Sequence, residues 1–260
     1  MRNILLTVSY DGTDFCGWQR QDKSDGGKPV RTVQGEIESA LAKIHKVPVA
    51  LTGSGRTDSG VHAFRQAANF FSPIDSIPPE KYVPALNAFL PNDIRIVGSK
   101  EVGEEFSSRF SATSRTYRYF IHTTNPFASE MRYVWAIHHK PNLAVLNEMA
   151  SHLRGELDCA TFAAAGDASL STCRYIENAH FFRDEKNPAV IVFEICANAF
   201  LWKMVRSLVG SLVFFEKSGK PPAYFKEVLD SRDRKRAGPT APPTGLFLYS
   251  VSFEGERRHV

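Results

Sequence analysis

The apolar positions along the chain follow two spacings, one typical of strands and one typical of helices. Strands are predicted where apolar and polar residues alternate or where a short apolar run occurs, at residues 4–10, 47–52, 61–71, 94–102, 116–122, 175–183, 190–197 and 246–253. Helices are predicted where apolar residues recur at helical spacing, within residues 33–44, 82–90, 143–153, 201–212 and 224–229. Interspersed helices and strands of this kind indicate an α+β fold.

The connection between the first strand and the first helix is long. Residues 11–31 are rich in Asp, Gly and charge, and Thr32 is a suitable N-cap for the helix that follows. Residues 22–29 within this connection look like an inserted polar loop. Loops of such length generally have a function.

Composition sets wide limits on the class of protein. With 260 residues, 43% of them hydrophobic and 23% charged, the chain is long enough for one large domain or two lobes with a substantial core. The net charge is +4 and the pI is about 8.8. Binding to nucleic acid depends on where Lys and Arg cluster rather than on their sum, so this mild charge decides nothing.

The four cysteines, Cys16, Cys159, Cys173 and Cys196, form no Cys-x-x-Cys pair. We therefore expect reduced thiols rather than a disulfide framework or a zinc site, and no metal or cofactor. The apolar residues 4–8 are too few for a signal-peptide core, and no later apolar run is long enough to span a bilayer. These features predict a cytoplasmic protein.

The segment between predicted strands 47–52 and 61–71 carries a carboxylate and a guanidinium two positions apart. Residues 55–63 read Gly-Arg-Thr-Asp-Ser-Gly-Val-His-Ala, so Arg56 and Asp58 lie on a loop bounded by glycines. An Asp beside Gly is often a turn residue that binds its own backbone. On a strand–loop–strand path, however, the same carboxylate would project from a rigid base, as catalytic groups often do.

This segment resembles the signature loop of the TruA family of tRNA pseudouridine synthases, Gly-Arg-Thr-Asp-x-Gly-Val-His, without a gap. The resemblance implies that Asp58 is the catalytic aspartate and that Arg56 helps to hold the target nucleotide out of the RNA helix. His62 matches a motif position to which the sequence assigns no role.

Four further segments resemble the same family in order and approximate spacing: residues 10–21, 109–119, 198–210 and 240–248. They imply that Tyr117 is the active-site tyrosine, that Arg206 is the partner of the catalytic aspartate, and that Leu246 packs beside the target base. The chain departs from the family pattern at Trp202, Ser207, Tyr175 and in the polar loop 22–29. We expect these departures to affect RNA contact rather than the reaction.

The resemblance also implies a fold and a substrate. The expected architecture is two similar α/β lobes that share an extended, largely antiparallel sheet, with helices on one side and a central catalytic cleft. Residues 1–110 would form the lobe with the Asp loop, and residues 111–260 the lobe with the partner Arg and the RNA-facing surface. The implied enzyme is a homodimer that isomerises uridines 38, 39 and 40 in the anticodon stem-loop of tRNA.

Two local patterns allow both a structural and a functional interpretation. Lys203, Arg206 and Gly210 lie opposite the apolar stripe of their predicted helix, which indicates either a solvated face or an Arg206 directed at Asp58. Tyr117 and Tyr119 project to the same side of a strand, where aromatic residues belong to the core more often than to a site.

Other functions are weaker matches to the sequence. Asp58 occupies the last glycine position of a Gly-x-Gly-x-x-Gly motif and a strand follows it, which excludes a dinucleotide-binding loop, and no P-loop motif is present. A hydrolase with Asp58 as nucleophile and Asp11 or Asp14 as general acid remains open. So does a non-catalytic RNA-binding module, which would need aromatic and basic residues but no Asp58–Arg206 pair.

Overall fold

A computed structural model describes residues 1–21, 30–256 and 258, so the predicted polar loop 22–29 lies outside the described residues. The chain forms two compact units. The first consists of Met1–Thr113 and Phe247–Gly255, and the second of Ser114–Leu246 with the described residues that follow Gly255. Across these described ranges, no helix is long and apolar enough to cross a membrane.

The described part of the first unit, without residues 22–29, contains a mixed sheet and two α-helices. Its elements are β1 (Arg2–Tyr10), α1 (Val33–His45), β2 (Thr52–Gly53), β3 (His62–Ser72), α2 (Tyr82–Asn87), β4 (Ile94–Val102) and, from Phe247 onward, β10 (Leu246–Ser252). The strand order is β4-β1-β3-β10, and β2 pairs with β3. All of these pairs are antiparallel except β3 with β10.

The helix α1 illustrates why the predicted elements form. Its apolar stripe of Val33, Ile37 and Leu41 is fully buried, and its N-cap Thr32 accepts a hydrogen bond from the Gly35 N–H at 3.3 Å. A cap of this type stabilises a helix by about 1 kcal/mol. Most of the helix stability, however, comes from burial of the stripe against the sheet.

Among its described residues, the second unit has a mostly antiparallel sheet and three α-helices. Its elements are β5 (Ser114–His122), β6 (Trp135–Ala136), α3 (Leu143–Ser151), β7 (Gly155–Asp158), β8 (Cys173–Arg183), β9 (Val190–Ala197), α4 (Met204–Lys217) and α5 (Pro222–Asp230). The strand order is β5-β9-β8-β7, and the short β6 pairs in parallel with β5. The α+β class and the mostly antiparallel pairing are therefore confirmed, whereas the one-sided helices and the cleft stay predictions.

The predicted strand at residues 47–52 is wrong over most of its length. Of the predicted residues 47–52, only Thr52 is in a strand, the two-residue β2, which pairs with β3. At Leu51, the backbone N–H donates to Glu38 Oε1 at 3.1 Å and the carbonyl accepts from Gln34 Nε2 at 3.0 Å. Side chains of α1 thus satisfy the backbone groups that a neighbouring strand would otherwise bind.

Other element boundaries also differ from the sequence prediction. Helix α4 begins at Met204 rather than at residue 201, because Lys203 has a left-handed backbone (φ 58°) that interrupts a helix. Phe89, within the predicted helix 82–90, lies beyond the end of α2 at Asn87 and is 49% exposed. The short β6 and β7 contain too few residues for a periodic pattern and were not predicted.

Gly210 contradicts a solvated polar face on α4, because it is buried against the segment 239–241. A Cβ at Gly210 would overlap the Pro239 carbonyl oxygen and lie 2.8 Å from the Ala241 nitrogen. Only glycine lets these two backbones come so close.

Gly210→Ala is therefore expected to destabilise the protein, although alanine is the better helix former by about 1 kcal/mol. Overpacking of this kind typically costs about 1–3 kcal/mol, and each kcal/mol lowers the melting temperature by about 2–4 °C in a chain of this size. Thermal unfolding of the variant measures the effect. Gly103→Ala is the control, since a Cβ there meets open space. Equal melting temperatures for Gly210→Ala and the parent would contradict the close packing.

Candidate active site

Residues 10–21, here called the first motif, bind the inner side of the Asp58 loop, residues 55–62. The buried Tyr10 hydroxyl and the Thr57 hydroxyl are 2.8 Å apart, and the backbone N–H of Trp18 donates to the Thr57 carbonyl at 3.1 Å. Thr57 is itself buried, whereas its neighbours Arg56 and Asp58 are exposed and half-buried. The loop therefore has a fixed inner side at Thr57, and its two charged residues are more accessible than Thr57.

Two glycines of the first motif allow this close contact. A Cβ at Gly12 would overlap the Val61 carbonyl oxygen, and one at Gly17 would lie 2.5 Å from the Thr57 carbonyl oxygen. Gly17 also has a left-handed backbone with φ 92°. Any side chain at either position would push the motif away from the loop.

Asp58 lies in a tight turn that its own backbone helps to close. The Val61 N–H donates to the Asp58 carbonyl at 3.2 Å, and Gly60 has φ 77°, which favours glycine. The Ser59 hydroxyl and the Gly60 N–H both donate to the Phe15 carbonyl, at 3.1 and 3.3 Å. The turn interpretation of Asp58 is thus correct for its backbone and is compatible with chemistry at its carboxylate.

Arg56 is anchored at one nitrogen. Its Nε donates to Gln19 Oε1 at 3.2 Å, and Gln19 in turn donates to Gln34 Oε1 at 2.8 Å. Since Gln34 lies on α1, this chain of hydrogen bonds connects the exposed guanidinium to a packed helix.

The structure indicates a role for His62, to which the sequence alone assigned none. His62 is fully buried, stacks on Phe247 with ring centroids 4.5 Å apart, and accepts the Gly12 N–H at Nδ1 at 3.0 Å. Its Nδ1 is also 3.1 Å from Asp11 Oδ1, which accepts the Thr13 N–H and hydroxyl. His62 therefore joins residues 11–12 to the end of the Asp58 loop.

Three further predicted site residues lie in the second unit. Arg206 and Ala241 exchange two hydrogen bonds, from Arg206 Nε to the Ala241 carbonyl at 2.8 Å and from the Ala241 N–H to the Arg206 carbonyl at 3.0 Å. The same segment continues to Leu246, which is 5% exposed. These bonds fix the orientation of the Arg206 side chain relative to the segment that carries Leu246.

The two tyrosines of β5 differ in their surroundings. Tyr119 is fully buried and donates to the Pro242 carbonyl at 2.6 Å, and burial raises the pKa of its hydroxyl, so Tyr119 stays a neutral donor. Tyr117 is 8% exposed and packs edge-to-face on Phe200 with centroids 5.0 Å apart. Tyr119 thus has a structural role, and the catalytic role of Tyr117 stays a prediction.

The departures from the family pattern fall in different surroundings. Trp202 is 47% exposed with Lys203 Nζ 4.5 Å from its ring, and Tyr175 packs against Arg258 at 4.2 Å. Ser207 is only 1% exposed, so its departure concerns the packing of α4 rather than RNA contact.

Comparison with known proteins places these motifs in a family. A family model described as tRNA pseudouridine synthase matches residues 6–111 and 149–254 of the chain. The chain belongs to the tRNA pseudouridine synthase family. The enzyme is accordingly an isomerase. The two matched segments contain Arg56, Asp58, Arg206 and Leu246, whereas Tyr117 lies between them.

Relatives of this tRNA pseudouridine synthase match over nearly its whole length. A protein of Treponema denticola named tRNA pseudouridine synthase A is 56% identical over 253 residues, 97% of this chain and 93% of that protein. Proteins of the same name from Treponema pallidum (strain Nichols) and Brachyspira hyodysenteriae are 48% and 40% identical, over 97% and 98% of this chain and 89% and 100% of theirs.

Proposed function

We propose that this protein converts uridine to pseudouridine at positions 38, 39 and 40 of the tRNA anticodon stem-loop, with Asp58 acting at the C1′–N1 glycosidic bond. The observation that carries the proposal is the rigid loop of residues 55–62, which presents Asp58 from a buried base in a chain of the tRNA pseudouridine synthase family. The names of the relatives given above support tRNA as the substrate.

The reaction breaks the bond between uracil N1 and ribose C1′, turns the base, and joins C5 to C1′. The C5 proton leaves at the end and N1 gains a proton, so the RNA keeps its mass. An ionised carboxylate can attack C1′ or stabilise its developing positive charge, as in glycoside hydrolysis, or it can remove a ribose proton to give a glycal. Asp58 suits each of these routes.

Three residues of the second unit, Tyr117, Arg206 and Leu246, would support this chemistry. Arg206, oriented by its bonds to Ala241, would pair with the Asp58 carboxylate through its planar guanidinium. Tyr117 would stack on the uracil, and Leu246 would supply an apolar wall that excludes water. Exclusion of water matters because an intercepted intermediate would be hydrolysed.

A uridine in a stem must leave the helix before the sugar can be attacked, at a cost of a few kcal/mol for unstacking and unpairing. Arg56 is exposed beside Asp58, which suits it to hold the extruded nucleotide or its phosphate. Most of the affinity is expected from backbone and shape contacts with the folded RNA.

We further propose that the protein is a homodimer and is located in the cytoplasm, which the family resemblance supports.

Incubation of unmodified tRNA with the protein tests the proposal. The expected products are pseudouridine at positions 38–40 in nucleoside analysis and an intact RNA of unchanged mass, and tRNA with cytidine at these positions is the control. A hydrolase would release uracil and leave an abasic site. Tight binding with every uridine unchanged would instead identify a binding module.

Chelation of divalent metals is expected to leave the chemical step intact on tRNA that is already folded, because the proposed carboxylate chemistry uses no metal. Single-turnover rates with and without EDTA measure this, with RNA folding followed separately since magnesium stabilises tRNA. A rate that falls on folded tRNA and returns only with zinc would contradict the prediction.

A further inference from the structure

A buried side-chain amide in β3 binds the start of the Asp58 loop. Gln66 is fully buried, and its Nε2 donates to the Gly55 carbonyl at 2.9 Å. Its Oε1 accepts the Ser54 hydroxyl at 2.6 Å and the Ala67 N–H at 3.1 Å. Since one amide serves three groups, its orientation is fixed with the donor side toward Gly55.

Gly55 is open on the side where a Cβ would project. Around the position of a Cβ at Gly55, the described residues outside its immediate chain neighbours place no heavy atom within 4 Å. The preceding residue, Ser54, is tightly held, since it is 2% exposed and its N–H donates to the Ala67 carbonyl at 2.8 Å. The chain therefore leaves the tightly held Ser54 and passes through Gly55, whose carbonyl is bound by Gln66, directly before Arg56.

We propose that Gln66 is a positioning residue for the reaction, which fixes the path of the chain at Gly55 and thereby the places of Arg56 and Asp58. The inference rests on the proposed function, in which Asp58 acts on the ribose. With Gln66 present, the loop is anchored at Gly55 and again at Thr57, whose hydroxyl meets that of Tyr10. Without it, the loop loses its anchor before Arg56, and Arg56 and Asp58 are positioned only by the anchors at Thr57, Ser59 and Gly60 among those described above.

A displacement of about 1 Å at a reacting group can lower a rate about a hundredfold. Gln66→Met keeps the length of the side chain but removes both its donor and its acceptor. We expect its single-turnover rate to fall about tenfold to a hundredfold at a temperature where the variant is folded, with tRNA affinity within about threefold of the parent. A purely structural role would change the melting temperature without this split between rate and affinity.

Asn87→Leu is the matched control in the same unit. Asn87 binds Ile96 through two hydrogen bonds of 2.9 Å, an amide-to-backbone pair similar to that of Gln66 but directed at β4. This variant is expected to lose stability and to keep the parent rate in its folded state. An equal loss of rate in the two variants would overturn the inference, as would a parental rate in folded Gln66→Met.

Ser54→Ala keeps the test decisive if Gln66→Met fails to fold. It removes one of the bonds that hold the amide, and we expect a smaller loss of rate with unchanged affinity. A parental rate in Ser54→Ala, with Gln66→Met unfolded, would overturn the inference. A parent that binds tRNA but forms no pseudouridine would instead overturn the proposed function and this inference with it, whereas an active parent with unaffected variants would overturn this inference alone.

Discussion

Asp58→Asn is expected to abolish pseudouridine formation while the fold and the affinity for tRNA stay close to those of the parent. Asparagine keeps the size of the side chain but removes the negative charge that nucleophilic attack, charge stabilisation and proton removal all require. The turn survives, because it is closed by the Asp58 backbone carbonyl and the Val61 N–H, 3.2 Å apart, whichever side chain is present. A loss of at least about a thousandfold in rate is expected for the removal of such a group.

Single-turnover conversion, with enzyme in excess over unmodified tRNA, measures the Asp58→Asn effect without interference from product release. Binding of the same tRNA is measured separately. Asp75→Asn is the control, since Asp75 is an exposed carboxylate in the same unit and belongs to none of the motifs. Pseudouridine formation by Asp58→Asn at a rate near that of the parent would show that another group acts on the sugar.

Arg206→Lys is expected to be damaging although it retains the positive charge, and Arg206→Met is expected to be worse. Arg206 uses its Nε to bind the Ala241 carbonyl at 2.8 Å. A planar guanidinium can combine such a bond with a two-pronged pairing to a carboxylate. A lysine ammonium cannot reproduce both arrangements. Loss of one preorganised electrostatic group typically lowers the rate about 10²–10³-fold, which is the expectation for methionine.

The signature of the Arg206 variants is a fall in single-turnover rate much larger than any fall in tRNA affinity. Lys217→Met is the control, because it removes an exposed cation from the last turn of the same helix. Equal losses of rate and affinity in both Arg206 variants would make Arg206 a phosphate contact rather than the partner of Asp58. The affinity of Arg206→Met would then also depend less on salt, by about one unit of slope for the lost phosphate contact.

Elements with a repeated apolar pattern could be predicted because burial of one face imposes the period of the element on the sequence. Strands buried on both faces could be predicted from a continuous apolar run. The predicted strands 94–102 and 190–197 agree with β4 and β9 from end to end, and Thr32 caps α1 as expected. Where the pattern is short or its apolar residues are buried without strand pairing, prediction failed. Leu51 is an example, since it is 4% exposed but has its backbone bound by α1 side chains.

The packing of β10 also could not be predicted from the local sequence pattern. Residues 246–253 were predicted as a strand, and β10 occupies Leu246–Ser252. Nothing in its alternation indicates that Phe247–Gly255 packs in the first unit, where Phe247 pairs in parallel with His62. The division at residue 110 stays a prediction. Strand partners are chosen by contacts between distant residues, and such contacts leave no period in the sequence.

The sequence by itself determined which residues are candidates for the chemistry, because Arg56, Asp58, Tyr117, Arg206 and Leu246 stand in motifs whose residue types and order can be read directly. Only the tertiary structure decided what holds the loop that carries Asp58. Its supports join residues far apart in the chain, with Tyr10 and Thr57 separated by 47 positions and Gly12 and His62 by 50. Such contacts depend on hydrogen-bond geometry and close backbone packing, which arise only when the folded chain brings these residues together.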